Sequence, residues 1–191
     1  MRKYDREKYH RRSIRLKGYD YSQAGAYYVT MCTQNRECLF GEIVNGKMRL
    51  NEYGQIVQQC WMEIPQHYQN VQLDEYVVMP NHVHGIIIIN ESDISTVGAI
   101  HELPLRHELP LRHELPHSRE QRRNMLLPKI IGRFKMNVAK PINRIRQTPG
   151  ISVWQRNYYE HIIRNENELN RIRHYIINNP LHWKTDDNFG E

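Results

Sequence analysis

The stretch VQLDEYVVMPNHVHGIIII, Val71 to Ile89, decides how this chain is read. Val71 to Val78 is rich in β-formers. His82 to Ile89 ends in four consecutive isoleucines. The short Met79-Pro80-Asn81 joint between them marks two antiparallel neighbouring strands. The continuous apolar run of the second places it at the centre of a sheet, covered on both faces. Alternate strand residues point the same way, so His82 and His84 project from one face while Val83 takes the other. Two imidazoles so placed are either a pair of half-buried, hydrogen-bonded histidines or a two-nitrogen platform for a divalent metal.

Working outward, Ala26 to Thr33 reads as a strand, and Leu39-Phe40 and Met48-Arg49-Leu50 flank Asn45-Gly46, a tight-turn signal. A helix opens at Asn51, a capping residue followed by Glu52. It carries Tyr53, Ile56, Val57, Cys60, Trp61 and Ile64 at helical spacing. A second helix is predicted from Pro128, with the stripe Leu127, Ile130, Ile131, Phe134, Val138, Ile142 and Ile145, and Pro141 should kink or divide it. Trp154 to Ile163 reads as a further strand. Asn165 and Glu168 then start a last helix through Leu169, Ile172 and Ile176, ending near Asn179-Pro180. The order predicts one α+β domain of ferredoxin-like type, an antiparallel sheet with helices on one or both faces.

The chain has 191 residues and a net charge of +6. Eight basic residues fall within the first 17, and the remainder balances at 19 basic against 19 acidic. Within that remainder, Arg119 to Arg146 holds nine basic residues and one acidic. Two basic clusters on a neutral body point to a polyanion. Residues 1–23 read as a basic, tyrosine-bearing arm ordering on a partner, with Arg11, Arg12 and Arg15 as DNA contacts. Lys129, Arg133, Lys140 and Arg144 fall on the polar side of the second helix, a candidate phosphate-contacting ridge. Residues 101–117 read HELPLR-HELPLR-HELPH, with proline at every sixth position. Such prolines forbid a stable helix and remove strand donors, so 95–120 is expected as a looped-out insertion in a domain spanning 24–185, with a tail at 186–191. Three cysteines without CxxC spacing, no apolar run of membrane length and no apolar leader predict a reduced, cytoplasmic protein.

Tyr175 and Asn179 lie four residues apart on the last helix, at the margin of its apolar stripe. A helix packed on the sheet can aim both at His82 and His84, with the Asn179 carbonyl oxygen as a third metal ligand and Tyr175 as a nucleophile. The ordinary alternative is a boundary tyrosine and a C-capping asparagine.

Three blocks occur in order: VVMPNHVHGIIII (Val77 to Ile89), WQRNYYEHIIR (Trp154 to Arg164) and LNRIRHYIINNP (Leu169 to Pro180). Together they resemble the single-tyrosine HUH transposases, in particular the REP-associated tyrosine transposases. The resemblance implies an RRM-like HUH nuclease fold and a divalent metal, Mg²⁺ or Mn²⁺, on His82 and His84 with Asn179. It also implies Tyr175 as the nucleophile that forms a 5′-phosphotyrosine. The implied substrate is single-stranded DNA beside a short imperfect hairpin. The protein would act as a monomer or homodimer, and Tyr158 and Tyr159 would be structural or DNA-contacting. A non-catalytic hairpin-binding protein and a metallohydrolase that activates water are the rival classes.

Overall fold

A computed structural model describes residues 19–91, 124–186 and 188. Six strands are present among the described residues: β1 (Gly25–Cys32), β2 (Gly41–Val44), β3 (Lys47–Leu50), β4 (Val71–Val78), β5 (His82–Ile89) and β6 (Tyr159–Ile163). The α-helices are α1 (Glu52–Met62), the short α2 (Ile64–His67), α3 (Leu126–Ile145) and α4 (Glu166–Asn178), and α4 continues as a 3-10 segment, Asn179–Thr185.

The main sheet has the order β4-β5-β1-β6 with every neighbouring pair antiparallel. Taking β1, α1, β4, β5, α3 and β6 as the unit, this is the βαββαβ arrangement of a ferredoxin-like domain, with β2–β3 as a separate hairpin and α4 added at the end. Asn45 and Gly46 at the hairpin tip both have positive φ, 51° and 72°, as a two-residue turn of this hand requires.

The pleat of the sheet sorts its side chains between two layers. Tyr27, Val29, Met31, Val83, Ile87 and Ile89 face α1 and α3, where Val57, Trp61, Phe134 and Val138 complete the larger core. Ala26, Ile86, Ile88 and Ile163 face α4 and pack on Leu169, Ile172 and Ile176. His82 and His84, in phase with Ile86 and Ile88, therefore stand on the α4 side, as the alternation predicts.

Several expectations are corrected. α3 begins at Leu126 rather than Pro128, because Ser22 Oγ accepts the Leu126 N–H at 2.9 Å and the Tyr21 carbonyl accepts that of Leu127 at 3.2 Å. This cap comes from about a hundred residues away and leaves no local signal. Pro141 does not divide α3. Val138 and Ile142, both fully buried, hold the helix against the sheet on either side of the missing hydrogen bond. The last strand covers only Tyr159–Ile163, with Trp154 making one isolated bridge to Thr33. The Lys135 ammonium instead takes the carbonyls of Gln155 and Asn157, at 3.0 and 2.9 Å, and keeps them out of the ladder. Tyr19 and Tyr21, grouped by sequence with the arm, are buried and stack edge-on against each other and near Tyr27. Residues 1–18, the hexapeptide repeat and the last residues lie outside the described region, so Arg11, Arg12 and Arg15 do too.

Candidate metal and tyrosine site

Two register pairs build the floor. Cys32 lies opposite His82, and Thr30 opposite His84, with Tyr159 across from Thr30 on the other side of β1. The His82 and His84 rings lie 4.4 Å apart, and both are buried.

The neighbours of each imidazole decide which nitrogen it presents. His82 Nδ1 donates to Asn81 Oδ1 at 2.7 Å, while the Asn81 amide donates to the carbonyls of Asn188 (2.8 Å) and Arg36 (3.2 Å). With its proton on Nδ1, His82 turns a lone pair on Nε2 toward the site. That nitrogen is buried and has no hydrogen-bond partner among the described residues. His84 Nδ1 lies between Tyr28 Oη (2.7 Å) and Thr30 Oγ1 (2.8 Å), and its Nε2 faces the Tyr175 hydroxyl at 3.4 Å. Groups that fix the far nitrogen of a histidine in this way are the ordinary outer support of metal-binding imidazoles.

The opposing wall comes from α4 and the 3-10 segment. α4 is capped by Asn165, whose side chain accepts from Glu168 N at 2.9 Å, and Glu168 in turn accepts from Arg164 N at 2.9 Å. Its azimuth is fixed by Arg173, which grips both oxygens of Asp74 at 2.8 and 2.6 Å, beside the irregularity between Leu73 and Tyr76 in β4. Tyr175, 46% exposed, thereby reaches His84, and Asn179, 2% exposed, sits one turn on. The 3-10 segment then folds the chain back so that Asp186 enters the site. Asp186 Oδ2 accepts from Asn179 Nδ2 at 2.6 Å and from the Tyr175 hydroxyl at 3.1 Å, and its Oδ1 accepts from Asn188 N at 2.6 Å.

His82, His84 and Asp186 present ligand atoms within 4.8 Å of one another, a cluster able to hold a metal ion. The Asn179 Oδ1 is a second buried atom without a hydrogen-bond partner among the described residues. An unmatched imidazole nitrogen and an unmatched amide oxygen beside a carboxylate are costly in a closed interior unless a cation joins them. The donor set of two nitrogens and two oxygens suits a borderline or hard divalent ion.

The electrostatics agree. Burial drives His82 down to about 4, against an opposing pull from the Asp186 charge and Asn179. Burial and the adjacent His82 take His84 well below the usual imidazole range. Burial would raise the Asp186 carboxyl, but hydrogen bonds from Asn179 and the Asn188 amide, with the two histidines, hold it below its ordinary value. Both rings are thus neutral ligands at physiological pH. The stability they contribute is fully present above about pH 6.5, where unfolded histidine is also neutral. It falls as acid protonates the unfolded chain first, at about 1.4 kcal/mol per pH unit for each ring. For His82 the loss is complete near pH 4. Urea unfolding of chelator-treated protein is expected to show a midpoint clearly lower at pH 5 than at pH 7. A flat profile across that window would contradict buried neutral imidazoles.

Tyr28 is an aromatic hub, stacked on His84 at 5.6 Å and edge-on to Tyr159 (6.0 Å) and Tyr175 (6.4 Å). Burial raises its pKa, so it stays a phenol.

The sequence thus brings His82, His84, Tyr175 and Asn179 together as anticipated. It does not bring the basic ridge to them. Lys129, Arg133, Lys140 and Arg144 are exposed on α3, which packs on the opposite face of the sheet. Asp186, Asn81, Tyr28 and Thr30 are members that sequence reasoning did not assign.

No family model matches the chain. An uncharacterised protein of Haemophilus influenzae is 43% identical over 96% of this chain and 96% of its own length. A second protein of that organism, provisionally named a REP-associated tyrosine transposase, is 24% identical over 85% of this chain and 73% of its own. Over most of its length the chain is thus similar to a protein provisionally named a REP-associated tyrosine transposase. Among solved structures, a REP-associated tyrosine transposase bound to a REP hairpin shares 17% identity at a TM-score of 0.46, covering 91% of this chain and 73% of that one. A provisionally assigned transposase from Deinococcus radiodurans shares 16% at a TM-score of 0.42, covering 87% and 97%. The signal that would have found Asp186 is weak: an Asp-Asp pair six and seven residues after Pro180, with no periodicity to place it. Thr30 and Tyr28 were readable in principle, as the residues of β1 in phase with the histidines of its neighbour.

Proposed function

We propose that this protein cleaves and rejoins single-stranded DNA beside hairpin sequences, with Tyr175 as nucleophile and a divalent metal, Mg²⁺ or Mn²⁺, held by His82, His84 and Asp186 together with the Asn179 oxygen. The observation that carries the reading is the meeting of Tyr175 with both His84 and Asp186 in one half-exposed site. Bound there, a divalent ion would polarise a non-bridging phosphate oxygen and offset the charge that builds on phosphorus.

The chain's own groups account for the remainder. The phenol of a free tyrosine titrates near pH 10, so Tyr175 needs a proton acceptor, and Asp186 Oδ2 already accepts its hydroxyl at 3.1 Å. Attack by the Tyr175 oxygen forms the Tyr–O–P bond and breaks the P–O3′ bond. The phenolic proton leaves toward Asp186, and the departing 3′-oxygen takes up a proton to become a 3′-hydroxyl. Because the phosphoester is conserved on Tyr175, a second 3′-hydroxyl can reverse the same exchange, restoring a DNA strand and the phenol without a nucleotide cofactor.

The test is a denaturing gel of end-labelled single-stranded hairpin DNA incubated with full-length protein. A covalent protein–DNA band is expected with Mg²⁺ or Mn²⁺ and is expected to vanish with EDTA. Hydrolysed strand without an adduct would point to a metallohydrolase, and retention without cleavage to a non-catalytic binder.

A further inference from the structure

We infer that the cavity beside Tyr175 is a base-reading pocket, in which Gln155 and Asn157 select the unpaired nucleobase adjoining the broken phosphodiester. This rests on the transposase reading and names which part of this chain would confer sequence choice at its site.

The cavity measures about 540 Å³, within the roughly 300–1,000 Å³ range of small-ligand pockets and large enough for one nucleotide. His84 and Tyr175 form one end. Tyr28, Tyr158 and Tyr159 supply ring surface. Tyr159 is 41% exposed, which leaves its ring open to a stacking base. Gln155 and Asn157 also line it, and neither side-chain amide makes a hydrogen bond among the described residues. A carboxamide offers a donor and an acceptor side by side, the pattern that pairs with the edge of a base.

What turns two surface amides into a reading device is how their backbone is held. Lys135, from the far side of the sheet, draws the carbonyls of residues 155 and 157 onto one ammonium and lies 5.6 Å from the Tyr158 ring centre. Gln155 N in turn donates to the Cys32 carbonyl at 2.9 Å, tying the segment to the end of β1 next to His82. The segment is irregular, yet fixed at both its carbonyls and one N–H. Such a support fixes where the two side chains start, so only their own rotamers remain to be ordered on meeting a base. Stacking alone accepts any base; directed donors and acceptors do not.

The experiment uses single-stranded DNA randomised over several positions next to a fixed hairpin. Full-length protein with Mn²⁺ is allowed to form adducts, and the captured strands are sequenced. Wild type is expected to show a preference of roughly tenfold at one position flanking the break. Asn157→Ala or Gln155→Ala is expected to flatten that preference without weakening Mn²⁺ binding, and Gln155→Glu, which removes the donor half of the amide, to change the preferred base. Unchanged preference in all three variants overturns the inference. Should wild type form no adduct with any strand, the transposase reading fails separately. The pocket is then judged by the same pool selected for filter retention, where enrichment at one position that Asn157→Ala abolishes supports it and enrichment indifferent to both alanine variants overturns it.

Discussion

Replacing Tyr175 by phenylalanine is expected to abolish the covalent protein–DNA product, by at least about 10³-fold, while leaving the fold and Mn²⁺ binding intact. The ring keeps its edge-on contact with His84, 5.3 Å between centres, so only the hydroxyl is lost. The decisive comparison is Tyr28→Phe. Tyr28 lies as close to the histidines as Tyr175 does, so distance alone does not choose between the two hydroxyls. Their surroundings do. Tyr28 is largely enclosed, its hydroxyl is committed to His84 Nδ1 and Thr30, and burial holds its proton on. Tyr175 is open to an arriving strand and faces the Asp186 carboxylate. Tyr28→Phe is therefore expected to cost about tenfold in metal affinity, as loss of an outer-shell partner does, and to retain adduct formation at saturating metal. An adduct that survives Tyr175→Phe and disappears in Tyr28→Phe would reverse the assignment.

The second large effect is on stability. Gly85→Ala places a methyl group 2.3 Å from Trp61 Cζ2 and 2.7 Å from Cη2, well inside any tolerable approach. Trp61 has no room to withdraw. It is fully buried, with Phe134 edge-on at 5.4 Å and Tyr76 at 6.0 Å. Overpacking of this kind costs typically about 1–3 kcal/mol, and with an aromatic ring on a central strand we expect the upper end, a large share of the roughly 5–15 kcal/mol that a domain has in total. Since Gly85 follows His84, the same strain should displace the imidazole and weaken metal binding. Trp61→Phe removes the two offending ring atoms, so the double variant is expected to be more stable than the sum of the single changes predicts. Urea unfolding of all four proteins measures this. Additive losses would place the strain elsewhere.

Much of this was legible before any coordinates. The alternation across His82-Val83-His84 and the four-residue spacing of Tyr175 and Asn179 are local periodicities, and such patterns survive folding because each face must be buried against something. The Asn51 and Asn165 caps were readable for the same reason. What escaped depends on distant partners. The start of α3 is set by Ser22 and Tyr21, the end of the last strand by Lys135, and Asp186 arrives through a 3-10 fold-back that no hydrophobic period records. The basic helix shows the converse. Its charges were correctly placed on one side of a helix, but a helical pattern does not say which face of the sheet that helix will cover, and α3 covers the wrong one for the histidines.

The register of β5 on β1 gives the molecule two poles. His82 pairs with Cys32 at one end, and Ile89 with Gly25 at the other, seven residues or roughly 23 Å away along the strand. Gly25, where β1 begins, and Ile89, where β5 ends, thus lie together at the second pole, away from the histidines. A change in the chain just before Gly25 or just after Ile89 therefore meets the sheet at the end away from His82 and His84.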